Sequence, residues 1–164
     1  LLERIAEYHE IGDRKGFRKS YEAFLEMIAD MDRLLSSTEL FSLQRWISSA
    51  RGVCDEAEGT TEEDRDWMEW NARTLISVWG PEKSAERGRL HDYSSRQWGG
   101  LLNDFQLARW KMFFQALEEG KTITSQEWFK WEENWTRSKT ITKVAEENAV
   151  DVACELYDKY FSKQ

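Results

Sequence analysis

An all-α fold is predicted for this chain by three observations. Apolar residues recur at steps of three and four along nearly its whole length, the spacing that gathers one apolar face on a helix. A single proline, Pro81, interrupts 164 residues, and proline is the residue a helix interior tolerates least. No convincing stretch alternates apolar and polar residues at period two, the mark of a half-buried strand. Together they predict a bundle of about six helices with short loops, and one longer loop around residues 80–89.

Leu1 to about Ile11 reads as the last turns of a helix already under way. Residues 1–164 are therefore expected to be a single helical domain truncated at its N-terminus. Gly12, Asp13 and Gly16 loosen the backbone. Phe17, Tyr21, Phe24, Leu25, Ile28, Met31 and Leu35 then form the stripe of a second helix. Ser36, Ser37 and Thr38 should break it and supply an N-cap for the next, which carries Leu40, Leu43, Trp46, Ile47, Ala50 and Val53.

Gly59-Thr60-Thr61 ends that helix, and Thr60 with Glu63 three residues on is expected to form a capping box. The helix it opens carries Trp67, Trp70, Leu75, Ile76 and Val78, and stops at Trp79-Gly80-Pro81-Glu82. Leu90 to Leu117 is helical in pattern. The Gly99-Gly100 pair inside it costs about 1 kcal/mol per glycine against alanine, so a kink or a close helix contact is expected there. Trp110, Phe113, Phe114 and Leu117 form its apolar stripe, and Gly120 ends it. Thr124 with Glu127 is a second capping box, followed by Trp128, Trp131 and Trp135 on one face, expected to pack in the core. The last helix is predicted from about Thr142 to Phe161.

Composition narrows the function. The net charge is −8, which argues against a nucleic-acid partner, since such binding rests on clustered Lys and Arg. No apolar run approaches the ~20 residues of a membrane span. The opening residues lack the pattern of a secretory signal. Cys54 and Cys154 stand in no metal-binding spacing. Nine tryptophans are many for this length, and they read either as large core fillers or as rings lining a sugar- or partner-binding surface.

No reacting group stands out. Glu62, Glu63, Asp64 and Asp66 sit in the first turns of a helix, where they offset its dipole. Glu132-Glu133 and Glu146-Glu147 read as solvated faces. His9 has no motif, and His91 lies where the loop returns to helix. Two histidines are too few for a metal centre, so neither metal nor other cofactor is expected. No Ser or Cys has a nucleophile elbow or a triad. The loop remains. Trp79 and Tyr93 bracket it; an indole can stack on a sugar ring or cover a core, and a phenol adds a directed hydrogen bond.

The order Asn71-x-Arg73, Trp79-Gly80-Pro81-Glu82, Leu90-x-Asp92-Tyr93, Gln97-x-x-Gly100-Leu101 and Arg109-Trp110-x-x-Phe113 resembles one family. It is similar to the C-terminal helical domain of the α-N-acetylglucosaminidases, glycoside hydrolases with human lysosomal and bacterial members. The resemblance runs from about Tyr21 to Lys163, with a loop several residues longer than in the animal enzyme.

The resemblance implies a partner: a (β/α)8 barrel in the same polypeptide, bearing the catalytic carboxylates that this chain lacks. It implies that the helical domain walls one side of the cleft for a terminal α-linked N-acetylglucosamine. Trp79 and Tyr93 would hold the sugar and Leu90 would shape the subsite. Asn71, Arg73, Asp92 and Arg109 would be structural groups that fix the loop. The chain alone would be inactive, with no catalytic residue of its own. The full-length protein would be secreted, periplasmic or lysosomal. The alternatives are a non-enzymatic helical module that binds protein or glycan, and an acidic helical bundle of unrelated function.

Overall fold

The longest apolar stripe in the sequence builds the longest helix, and the others pack around it. The structure is a computed structural model that describes residues 1–79, 95–139 and 146–162. Seven α-helices lie among the described residues. They are α1 (Leu2–Glu10), α2 (Arg14–Ser36), α3 (Leu43–Gly52), α4 (Glu62–Leu75), α5 (Ala108–Glu118), α6 (Ser125–Thr136) and α7 (Ala149–Phe161). A π-helical segment, Leu102–Leu107, runs directly into α5. The only strand-like pairing among the described residues is an isolated parallel bridge between Ser42 and Gly99. No helix among them is long and apolar enough to cross a membrane.

Two apolar clusters form the core. One joins Ile5, Phe17, Tyr21, Phe24 and Ile28 of α1 and α2 to Leu102, Leu107 and Phe114. The other joins Leu43, Ile47, Ala72 and Ile76 to Leu101, Phe105 and Trp135. The π-helical segment serves both, because its wider turn sends Leu102 and Leu107 to one cluster and Phe105 to the other. In the first cluster Phe114 stacks on Tyr21 at 4.9 Å and takes Phe24 edge-on at 6.0 Å. Burial of each such ring contributes about 1.5–3 kcal/mol.

The helix ends follow local chemistry, with some shifts from the sequence reading. Thr124 and Glu127 form the expected capping box. The other box lies one residue later, between Thr61 and Asp64. Thr60 is unavailable because its hydroxyl turns back to donate to the Cys54 carbonyl at 2.7 Å. Helix α3 is capped by Ser42, whose Oγ accepts from the Arg45 N–H at 3.1 Å, rather than by Ser36–Thr38. Leu40 and Val53 fall outside α3 and are exposed. The glycine pair does not kink a helix. It precedes one, and the irregularity is the π-helical segment just after it. Helix α7 starts at Ala149, later than Thr142, because Asn148 Oδ1 accepts from the N–H groups of Val150 and Asp151 at 2.9 and 3.3 Å. Residues 140–145 lie outside the described part.

Polar contacts dock α7 on α2. Lys159 reaches Glu26 at 2.6 Å and Asp30 at 2.5 Å, and Tyr160 Oη donates to Asp30 at 2.6 Å. Arg33 pairs with Glu147 at 2.7 Å and with Glu155 at 2.9 Å.

Candidate functional site

The exit of α4 is built to hold one indole at the surface. The Ser77 hydroxyl donates to the Arg73 carbonyl at 2.7 Å, and the Trp79 N–H donates to the Thr74 carbonyl at 2.9 Å. The backbone then turns left-handed at Trp79, with φ of 46°. That conformation costs an L side chain about 1–2 kcal/mol. Ile76, Ser77 and Val78 are buried while Trp79 is 41% exposed, so the indole leaves the core as the helix ends.

Below Trp79 the helix is fastened by charge. Arg73 is fully buried, pairs with Glu69 at 3.0 Å and stands 5.0 Å over the Trp135 ring of α6. Arg51 of α3 reaches Glu69 at 2.9 Å, Asp66 at 2.8 Å and also Glu62. Lys139 pairs with Asp66 from beyond α6, and Arg137 lies 5.1 Å over Trp70. Hydrogen bonds from Lys139 and then Arg51 hold the Asp66 carboxyl below the usual carboxylate range. A buried pair of this kind is costly to break from one side, which makes it a locating device more than a source of net stability.

The segment that leads into the π-helical turn is clamped separately. Gly99 donates to the Phe41 carbonyl at 2.7 Å and accepts from the Leu43 N–H at 2.9 Å. A Cβ on Gly99 would lie 2.4 Å from Ser36 Oγ and 2.5 Å from the Ser36 backbone nitrogen, so only glycine fits. Gly100 has φ of 83°, and the helical turn starts directly after it. The Asp32 carboxylate, from the middle of the bundle, accepts from the N–H groups of Gly100 at 2.7 Å and Asn103 at 2.9 Å and from Ser36 Oγ at 3.3 Å. Burial raises the Asp32 carboxyl above its ordinary value, although those three donors pull it down. Trp98 packs on Trp46 at 5.4 Å, and Trp46 Nε1 donates to the Ala72 carbonyl at 2.9 Å, which ties this segment back to α4.

The predicted site residues therefore fare differently. Trp79 is an exposed ring on a fixed stem. Leu90 and Tyr93 lie outside the described residues, as do His91 and Asp92. Arg73 is a structural pair, and so is Arg109, whose Nε lies 2.8 Å from Glu132 Oε1 with its N–H not aligned on that oxygen. Asn71 donates to the Trp67 carbonyl of its own helix at 3.0 Å. Glu132 is buried, which corrects the reading of Glu132-Glu133 as a solvated face: Arg109 draws it inward. The tryptophan row divides. Trp135 and Trp131 pack on Phe105 at 4.7 and 5.6 Å, while Trp128 lies 5.5 Å from the Arg109 guanidinium.

The close helix contact expected at the glycine pair is present, where Gly99 abuts Ser36 of α2. Sequence reasoning missed Asp32, although a signal existed: it is an acid four residues after Ile28, within the apolar stripe of α2. Among the described residues no group of three His, Cys, Asp or Glu is placed to hold a metal ion. A separate groove of about 840 Å3 opens between α1, the start of α2 and the end of α5, lined by Tyr8, Phe17, Arg18 and Leu117 among others. It shares no residue with the exit of α4.

Residues 1–159 match the family described as the α-N-acetylglucosaminidase (NAGLU) C-terminal domain. The human α-N-acetylglucosaminidase is 33% identical over 92 residues, which is 56% of this chain and 11% of that protein. A family 89 glycoside hydrolase from Clostridium perfringens, solved in complex with 2-acetamido-1,2-dideoxynojirmycin, superposes with a TM-score of 0.83 at 29% identity. The superposition covers 99% of this chain and 19% of that one. A glutamate-to-glutamine double variant from the same organism, in complex with its substrate GlcNAc-α-1,4-galactose, gives 0.81 at 30% identity, over 96% of this chain and 18% of the other. The chain thus spans less than a fifth of the length of these relatives.

Proposed function

Because the chain belongs to the family of α-N-acetylglucosaminidase C-terminal domains, we propose that it walls the active-site cleft of an exo-acting, retaining glycoside hydrolase. The substrate is a terminal, non-reducing α-linked N-acetylglucosamine. The observation that carries the reading is the family match over residues 1–159. It is supported by a relative of the same fold solved with a GlcNAc-α-linked disaccharide. Both named relatives are glycosidases, which favours this reading over a non-enzymatic binding module.

In this reading the reacting carboxylates belong to a (β/α)8 barrel elsewhere in the same polypeptide. One attacks the anomeric carbon while the other protonates the departing glycosidic oxygen; the second then takes a proton from the water that releases the sugar. Retention requires the two carboxyl groups to be about 5–5.5 Å apart. This chain contributes shape. Trp79 and Tyr93 hold the sugar ring, and Leu90 shapes the subsite. Support for Trp79 is its position: an exposed indole on a backbone fixed by Thr74 and by the Arg73–Glu69 pair.

The test is hydrolysis of a chromogenic α-N-acetylglucosaminide. The full-length protein should cleave it and leave the β-anomer intact, and residues 1–164 alone should cleave neither anomer. Turnover by residues 1–164, abolished by substituting carboxylates within them, would overturn the reading.

A further inference from the structure

Helix α7 carries apolar stripes on two opposite sides. Val152 and Leu156 are buried against the bundle. Val150, Cys154, Tyr157 and Phe161 fall on the other side, within an arc of about 60° at the helical period. Val150, Tyr157 and Phe161 are 68%, 62% and 62% exposed, and Cys154 is an exposed free thiol. The rings of Tyr157 and Phe161 stack on each other at 5.6 Å, a preformed ledge. No charged residue interrupts this row. A surface helix needs one apolar stripe; a helix that is apolar on two sides is buried on two sides. Single exposed apolar residues are ordinary, but a contiguous row of them marks an interface.

We infer that the outward face of α7 docks on an apolar surface of the remaining polypeptide, through Val150, Cys154, Tyr157 and Phe161. The inference rests on the proposed reading of this chain as one domain of a longer hydrolase. Nearly the whole chain superposes on a bacterial enzyme of which it forms only 19%, so most of that polypeptide is available to cover such a face. A second copy of this chain fits poorly. A two-fold contact through this row would bring together the Asp151 and Asp158 side chains that flank it, on chains that each carry a net charge of −8.

The thiol supplies the test, in the full-length protein. Maleimide labelling of Cys154, read by peptide mass spectrometry, should be at least about ten-fold slower in the native protein than after denaturation. Tyr157→Glu should lower the melting temperature of the full-length protein, although a freely exposed position would tolerate it. Native labelling within about two-fold of the denatured rate, or an unchanged melting temperature in Tyr157→Glu, would overturn the inference. Protection that disappears on dilution would also overturn it, by assigning the face to a second copy. Glycosidase activity, assayed on the same sample, is a separate readout. A protected Cys154 in an inactive protein would sink the functional reading and leave the interface standing.

Discussion

The Asp32 carboxylate of α2 accepts the Gly100 N–H at 2.7 Å, across 68 positions of sequence. It thereby caps a helical turn that has no cap of its own, and it fixes the backbone that enters that turn. Asp32→Ala would leave buried N–H groups without an acceptor, at about 1–3 kcal/mol for each one unsatisfied. Asp32→Asn keeps an acceptor and should cost less. The two variants also separate by pH. Burial raises the native Asp32 carboxyl, so the folded protein holds that proton more tightly than the unfolded chain. The stability gained is full below the unfolded value of about 3.9 and is lost as pH rises through the raised native value. Melting curves from pH 3 to 7 should show that slope in the parent and lack it in Asp32→Asn.

The α2–α7 clamp should show the opposite sign. Burial acts to raise Asp30, but hydrogen bonds from Lys159 and Tyr160 outweigh it and hold the carboxyl low. Hydrogen bonds from Arg33 hold Glu147 and Glu155 low as well. Tyr160 is pushed up to about 12, by burial and then by its bond to Asp30. The docking energy from these carboxylates is present above the ordinary range of about 4 and is lost as pH falls through their lowered values. Amide exchange in Ala149–Phe161, corrected for intrinsic rate, should therefore accelerate below pH 4 before exchange in Arg14–Ser36 does.

Trp79→Ala in the full-length protein should lower kcat/KM by about 1–3 kcal/mol of transition-state stabilisation, by analogy with stacking of nucleobases on aromatic rings. Its melting temperature should hold, because the residue is 41% exposed and belongs to neither apolar cluster. Phe114→Ala is the control: that ring is 1% exposed, and its loss should cost about 3–5 kcal/mol of stability. If Trp79→Ala melts as early as Phe114→Ala while its folded fraction keeps normal activity, Trp79 is core filler.

Gly99→Ala should be more damaging than any exchange of exposed residues nearby. The new methyl would meet backbone atoms of Ser36 at 2.5 and 2.6 Å, and neither can rotate away. Overpacking of this kind costs about 1–3 kcal/mol. A calorimetric scan of the full-length protein reads the loss. A kcat/KM measurement on the folded fraction then reports whether the displacement at Gly99 also disturbs the cleft.

The residues divide by the range of the forces on them. Sequence alone determined the all-helical class, the apolar stripe of α2 and the Thr124–Glu127 box, because each rests on contacts within one or two turns. It placed the end of α4 only approximately: the helix stops at Leu75, short of Ile76, Val78 and Trp79, and Gly80 and Pro81 lie outside the described residues. Tertiary structure decided the rest. Whether Glu132 is solvated depends on Arg109, from another helix. Thr61 rather than Thr60 caps α4 because the Cys54 carbonyl competes for Thr60. Gly99 is needed because Ser36 approaches it, and Asp32 tolerates burial because Gly100 and Asn103 bring donors to it. Each of these outcomes turns on a partner many residues away, and an unsatisfied buried polar group is costly enough for that distant partner to overrule local preference.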